Sequence, residues 1–175
     1  MQENISAENE YLPLQTGNVW YYDIANSDNN PYIKKEVKDI IIIDSRAYFI
    51  VQDKYIYTHQ EVIFNTDTLY KDGKGRIWQS RNDADFLLYD FTLDEGETYS
   101  FPGNSAISDE KYIVTVKKFA EIEINEQKYN DCIELFFNIP EWRDEERWLI
   151  FSKSIGIIKE IRGEGPTIEL SSFSF

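Results

Sequence analysis

Apolar and polar residues alternate with period two along most of the chain, the pattern of β-strands that turn one face toward a core. The longest stripe runs from Tyr112 to Ile124, with only Lys118 interrupting its apolar face, and a second runs from Tyr129 to Phe137. Asn125-Glu126 lies between them, where asparagine tolerates the left-handed backbone of a tight turn. The two stripes predict a long antiparallel hairpin.

Shorter alternating runs extend the same pattern toward the N-terminus. Residues 19–25 place Trp20 and Tyr22 on one face of a predicted strand. Residues 32–44 predict a strand with Ile33, Val37, Ile41 and Ile43 on one side, which pairs with residues 47–57 across a short turn. The second of these strands is apolar on both faces, which is typical of a sheet covered on each side.

Further strands are predicted up to residue 174, and the glycines of Asp72-Gly73-Lys74-Gly75 supply a turn between two of them. About ten to twelve strands joined by short turns are typical of sandwiches and barrels. The predicted fold class is therefore all-β, an antiparallel sandwich or a curved, partly closed barrel with little helix.

Composition agrees with this pattern and limits the domain count. Isoleucine occurs 23 times against 9 leucines, and β-branched side chains fit a pleated sheet better than a helix. The 175 residues suffice for one sizeable core. We expect a flexible leader over residues 1–10 and a single β domain over residues 11–175.

Charge narrows the range of partners. The formal net charge of −14 repels phosphate backbones, so we expect no nucleic-acid partner. The longest apolar run, Ile40 to Ile43, is far too short for a transmembrane segment. Residues 1–10 contain no secretory signal as written, and any lipid anchor would be absent from this chain. The remaining partners are a small molecule, a glycan or a protein.

Residues that commonly perform catalysis are scarce. His59 is the single histidine and Cys132 the single cysteine, and neither stands in a nucleophile motif or a metal-ligand pattern. No glycine group has the spacing of a phosphate-binding loop. We therefore predict no catalytic residue, no cofactor and no metal. Paired carboxylates such as Asp83 with Asp85, or Glu145 with Glu146, leave a hydrolase as the alternative.

Aromatic residues are the one abundant group with binding chemistry. Four tryptophans and twelve tyrosines can stack on sugars or line an apolar pocket. Trp142 and Trp148 bracket a highly charged segment, which should hold both indoles near the surface. These two residues are the predicted ligand-binding residues.

Four segments of the chain resemble a family of extracytoplasmic proteins and lipoproteins of Bacteroidetes whose function is largely uncharacterised. They are YLPLQTGNVWYY at 11–22, LLYDFTLDEGETY at 87–99, YNDCIEL at 129–135 and SKSIGIIKEI at 152–161. That family opens its β domain with an aromatic-Pro-Leu-x-x-Gly-Asn-x-Trp-x-Tyr motif and has a Gly-Ile-Ile-Lys-Glu-like strand near its end. The resemblance implies export to the periplasm or cell surface and an all-β fold, without a reaction.

The combined interpretation is an extracytoplasmic, non-enzymatic binding module for a hydrophobic small molecule, a glycan or a protein. A carboxylate-dependent hydrolase and a purely structural protein of the cell envelope are the alternatives. An aromatic cavity would favour the binding module, whereas a cleft with two carboxylates of shifted pKa would favour the enzyme.

Overall fold

The computed structural model describes residues 10–25, 32–81, 84–102, 111–140 and 146–175, which form twelve β-strands and no helix. Their bounds are β1 Val19–Ile24, β2 Tyr32–Ile43, β3 Arg46–Ile56, β4 Glu61–Lys71, β5 Ile77–Arg81, β6 Ala84–Tyr89, β7 Thr98–Pro102, β8 Lys111–Ile124, β9 Gln127–Asn138, β10 Arg147–Ser152, β11 Gly156–Arg162 and β12 Ile168–Ser174. Among these residues, none forms a helix long and apolar enough to cross a membrane.

All twelve strands belong to one antiparallel sheet, in the order β6-β5-β4-β3-β2-β1-β12-β11-β10-β9-β8-β7. The first and last strands, β1 and β12, pair in the middle of this order. The sheet curls so far that its edge strands β6 and β7 lie side by side. Tyr99 Oη of β7 donates a hydrogen bond of 2.7 Å to the Leu88 carbonyl of β6 across that seam. The all-β prediction is confirmed, and the architecture is a nearly closed barrel.

Two hairpins form at the turns that the sequence predicts. Asn125 and Glu126 both have positive φ angles, of 50° and 64°, and join β8 to β9, the geometry of a two-residue turn that matches strand twist. In the resulting register Val114 is opposite Phe137 and Val116 is opposite Leu135. Asp44-Ser45 joins β2 to β3 in the same way.

The predicted apolar face of β2 is wrong in its second half. Val37 pairs with Val51, but Asp39 pairs with Ile50, so Lys38 is an extra residue in the strand. Such a bulge reverses the side-chain phase beyond it. Ile41 and Ile43 therefore face away from the side that Val37 occupies, and both are exposed near the tip of the hairpin.

The residues before β1 close one end of the barrel. Residues 10–18, called the N-terminal segment below, insert Leu12 and Leu14 into the buried core. Asn18, itself buried, donates from Nδ2 to the Pro13 carbonyl at 2.9 Å. The Ser154 backbone N–H donates to the Glu10 carbonyl at 2.7 Å, which ties the segment to the turn between β10 and β11. We call this end of the barrel, with the β2–β3, β8–β9 and β10–β11 turns, the closed end.

Trp20 is the central side chain of the closed end. It is 1% exposed, and its indole N–H donates to the Ile155 carbonyl. Gly156 lies so near that a Cβ there would be 3.0 Å from Trp20 Nε1 and 3.6 Å from Leu12 Cδ1. The indole therefore packs between the N-terminal segment and the β10–β11 turn, a position that requires glycine opposite it.

The segments that carry the family resemblance meet at this closed end. Tyr11 packs on Phe91 with ring centroids 5.2 Å apart, which joins the first segment to the second. The Lys153 N–H donates to the Asp131 carbonyl at 3.3 Å, which joins the fourth segment to the third. These contacts join the four segments at the closed end.

The predicted flexible leader falls on residues 1–9, outside the described residues, and on Glu10. The Glu10 carboxylate forms an ion pair with Lys71, and its backbone belongs to the N-terminal segment. The described structure therefore begins one residue before the predicted domain boundary at Tyr11.

Replacing Gly156 by alanine should lower the free energy of unfolding by about 1–3 kcal/mol, because φ is +107° and the new methyl group would press on Trp20. Chemical denaturation of both proteins measures the difference. Gly73→Ala is the matched control, since nothing lies within 4 Å of its Cβ position. Equal stability losses in the two variants would contradict the role assigned to Gly156.

Candidate functional site

A cavity of about 530 Å³ occupies the half of the barrel away from the N-terminal segment. Its wall includes Tyr22, Ile33 and Tyr89 in the interior and Arg162 at the end of β11. Phe64 of β4 also lines the cavity and is 42% exposed. This volume lies in the range of small-molecule sites.

One wall of the cavity carries carboxylates and amides. Asn65 Nδ2 donates to Asp53 Oδ2 at 3.1 Å and to Asp67 Oδ2 at 2.9 Å. Gln79 Nε2 donates to Asp67 Oδ1 at 2.7 Å. These side chains belong to β3, β4 and β5, so three adjacent strands present one hydrogen-bonded row. Neutral amides satisfy the hydrogen bonds of Asp67 without cancelling its charge.

Another wall carries two arginines that share one carboxylate. Arg147 Nε lies 2.9 Å and Arg162 Nε lies 2.6 Å from the same oxygen, Glu160 Oε1. Glu160 is only 6% exposed at its side chain, whereas Arg147 and Arg162 are 39% and 49% exposed. A single carboxylate balances one of the two guanidinium charges, so this wall has an excess positive charge.

Tyr22 of β1 extends into the barrel and has an unpartnered hydroxyl. The residue is 1% exposed, and its Oη forms no hydrogen bond. Burial, together with the charges of Asp53 and Glu160, raises the pKa of Tyr22 well above its usual value, so the hydroxyl keeps its proton. Leaving a buried hydroxyl unpaired costs about 1–3 kcal/mol, which makes this atom an anomaly in the wall.

Lys35 and Tyr89 complete the polar interior. Lys35 Nζ forms an ion pair with Asp53 Oδ1 at 2.5 Å. Burial acts to lower the pKa of Lys35, but Asp53 outweighs it and the pKa is raised, so the lysine stays charged. Burial raises the pKa of Tyr89 to about 12. Both tyrosines are therefore neutral hydrogen-bonding groups at physiological pH.

An aromatic group borders the charged residues. Phe101 and Tyr112 stack with centroids 5.1 Å apart, and Phe137 meets each of them edge-on. All three residues line the cavity. They offer an apolar surface beside the polar walls, the combination that orients small ligands.

The cavity differs from the rest of the chain in its charge balance. Four cationic and three acidic side chains line it among the described residues, while the whole chain has a net charge of −14. The cations are Lys35, Arg81, Arg147 and Arg162. The interior is therefore a mixed, slightly cationic environment inside an acidic protein.

The environment of Glu160 does not suit acid catalysis. Burial acts to raise the pKa of Glu160, but Arg147 and Arg162 outweigh it and the pKa is lowered. A general acid needs a raised pKa so that it holds a proton near neutral pH. Glu160 is instead an ionised partner for two arginines, which weighs against the hydrolase alternative.

The predicted ligand-binding tryptophans lie apart from this cavity or outside the described residues. Trp142 belongs to residues 141–145, which the structure does not describe. Trp148 stacks on Phe136 with centroids 4.8 Å apart. Its neighbour Arg147 lines the cavity, so Trp148 projects from the opposite, outer face of β10. Its binding role stays a prediction.

The other candidate residues have ordinary surroundings. His59 is exposed in the turn between β3 and β4. Cys132 is buried, and burial raises the pKa of its thiol, so it behaves as a small apolar side chain. Asp85 forms an ion pair of 2.8 Å with Arg46 on the outside of the barrel. Asp83 and Glu145 lie outside the described residues, whereas Glu146, the partner of Glu145, is described.

The residues of the cavity were missed at the sequence level, although a signal exists. Lys35 lies between the buried Ile33 and Val37 on the same face of β2, and Glu160 follows the buried Ile158 on the same face of β11. A charged residue in phase with buried neighbours predicts a polar group inside the barrel. No group of His, Cys, Asp and Glu that could hold a metal ion occurs among the described residues.

Comparisons with known proteins identify the fold. No family model matches the chain, and no curated protein matches it either. Two solved structures do. One, described as a "putative lipoprotein" from Parabacteroides distasonis, has a TM-score of 0.54 at 10% identity and covers 95% of this chain and 99% of its own. The other is a "putative exported protein with YmcC-like fold" from Bacteroides fragilis. It has a TM-score of 0.50 at 9% identity, and the match covers 95% of this chain and 100% of that one. The barrel therefore has the same overall fold as these proteins.

Replacing Tyr22 by phenylalanine should leave the free energy of unfolding unchanged or raise it by about 1 kcal/mol, because an unpaired buried hydroxyl is removed. Tyr99→Phe is the matched contrast. It deprives the Leu88 carbonyl of its donor across the β6–β7 seam and should lower the free energy of unfolding by about 1 kcal/mol. Chemical denaturation measures both. A loss of stability in Tyr22→Phe as large as that in Tyr99→Phe would show that the Tyr22 hydroxyl has a structural partner.

Proposed function

We propose that this protein is an exported, non-enzymatic binding protein that holds a small polar molecule inside its barrel. The observation that carries the proposal is a cavity of about 530 Å³ whose wall combines charged, amide and aromatic side chains. Small-molecule sites in proteins join an apolar surface to a few well-placed polar groups. The wall of this cavity offers both.

The charges of the cavity favour a polar ligand over the hydrophobic molecule considered from the sequence. Lys35, Asp53 and Glu160 all contribute to its wall. An apolar ligand would displace water from these groups without replacing its hydrogen bonds, which costs free energy. A ligand with its own donors and acceptors meets this requirement and can still pack on Phe101 and Tyr112.

Export is supported by two independent similarities. The sequence segments at 11–22 and 152–161 resemble extracytoplasmic proteins of Bacteroidetes, and the two structural neighbours are named as a lipoprotein and an exported protein.

Binding is tested by thermal shift of the purified chain against three panels: amino acids with short peptides, neutral oligosaccharides, and fatty acids. We expect a member of one of the two polar panels to raise the melting temperature, and fatty acids to leave it unchanged. Asn65→Trp, which places an indole in the cavity wall, should abolish the shift.

Lys117→Trp is the control for that variant, because Lys117 is exposed and does not line the cavity. It should keep the full ligand-induced shift. The proposal fails if no panel raises the melting temperature, or if Asn65→Trp responds as strongly as the parent protein.

Export is tested by fractionating cells of the native host and probing with an antibody against the folded domain. The protein should occur in the periplasmic or envelope fraction. Recovery with a cytoplasmic marker protein would refute export and leave the binding proposal to its own test.

A further inference from the structure

Asp67 and the arginine pair of the cavity lie on opposite walls. In the strand order β4 is third and β10 is ninth of twelve, so the two strands are half a turn apart in the nearly closed barrel. Asp67 projects from β4 and its hydrogen bonds come from neutral amides. Arg147 of β10 and Arg162 of β11 share one carboxylate. A carboxylate with neutral hydrogen-bond partners therefore faces two guanidinium groups across the cavity.

We propose that the ligand is a zwitterion with an α-ammonium and a carboxylate group, as in a free amino acid or a short peptide. This inference rests on the proposed binding function. The carboxylate binds the guanidinium groups of Arg147 and Arg162. Arg162 donates one hydrogen bond to Glu160, Arg147 forms an ion pair with it, and both guanidinium groups carry further N–H donors. The ammonium group binds Asp67, the carboxylate whose own partners are uncharged.

The remaining groups of the cavity fit the rest of such a molecule. Phe101, Tyr112 and Phe137 form an apolar surface for a side chain of the ligand. A neutral sugar, in contrast, forms no ion pair with Asp67 or with the two arginines.

The experiment uses the full chain and native mass spectrometry with three probes: a mixture of the free amino acids, a randomised tripeptide library, and maltotriose. We expect an amino acid or a tripeptide to be retained and maltotriose to be lost. The first two probes distinguish a free amino acid from a short peptide, which carry the same ammonium and carboxylate groups. The retained compound is then compared by calorimetry with its N-acetylated and C-amidated forms, each of which should bind at least about tenfold more weakly.

Charge-neutralising variants assign each end of the ligand to its wall. Arg162→Gln should weaken the unmodified ligand about tenfold and have no further effect on the amidated form. Asp67→Asn should weaken the unmodified ligand about tenfold and have no further effect on the acetylated form. Arg46→Gln and Asp85→Asn, which alter an ion pair on the outer surface, are the matched controls and should bind as the parent does.

The outcomes separate this inference from the proposed function. Retention of maltotriose alone, or equal binding of a doubly blocked tripeptide, would overturn the zwitterion and leave a polar-ligand protein. Retention of none of the three probes would overturn the zwitterion as well, and the three-panel thermal shift then decides whether the cavity binds any ligand.

Discussion

A twelve-stranded barrel is wider than the side chains of its own strands can fill. Barrels of about eight strands can be packed by side chains, and wider ones enclose space. In this chain one end of the barrel is filled by residues from outside the strands, and the other half stays partly empty. The N-terminal segment brings Leu12 and Leu14 into the closed end, while the other half keeps a cavity of about 530 Å³. The packing of one end and the polar site of the other both follow from the strand number.

The segments at 11–22, 87–99 and 152–161 contribute to both ends of the barrel. At the closed end Trp20 needs glycine at 156. The same segments reach the cavity, because Tyr22, Tyr89 and Glu160 line it. The rest of the polar wall comes from other parts of the chain, such as Lys35 of β2.

Local chemistry determined what could be predicted. Period-two stripes and the Asn125-Glu126 turn identified the β8–β9 hairpin, because both depend on neighbouring residues. The bulge at Lys38 and the pairing of β1 with β12 depend on the partner strand, so the exposed side of Ile41 and the choice of barrel over sandwich could not be predicted. Glu160 could have been noticed by its phase, but its sharing between Arg147 and Arg162 is a long-range result of the register.

The polar interior makes the fold less stable than an apolar core would, and a purely structural role does not require it. Buried ion pairs stabilise a fold little more than well-packed apolar residues do, and often less. An unpaired hydroxyl such as that of Tyr22 costs about 1–3 kcal/mol more. A ligand that binds only the folded state returns stability in proportion to the logarithm of its concentration. The charged side chains of Lys35, Asp53 and Glu160 inside the barrel are therefore easiest to explain under the proposed binding function, in which a polar ligand stabilises the folded state.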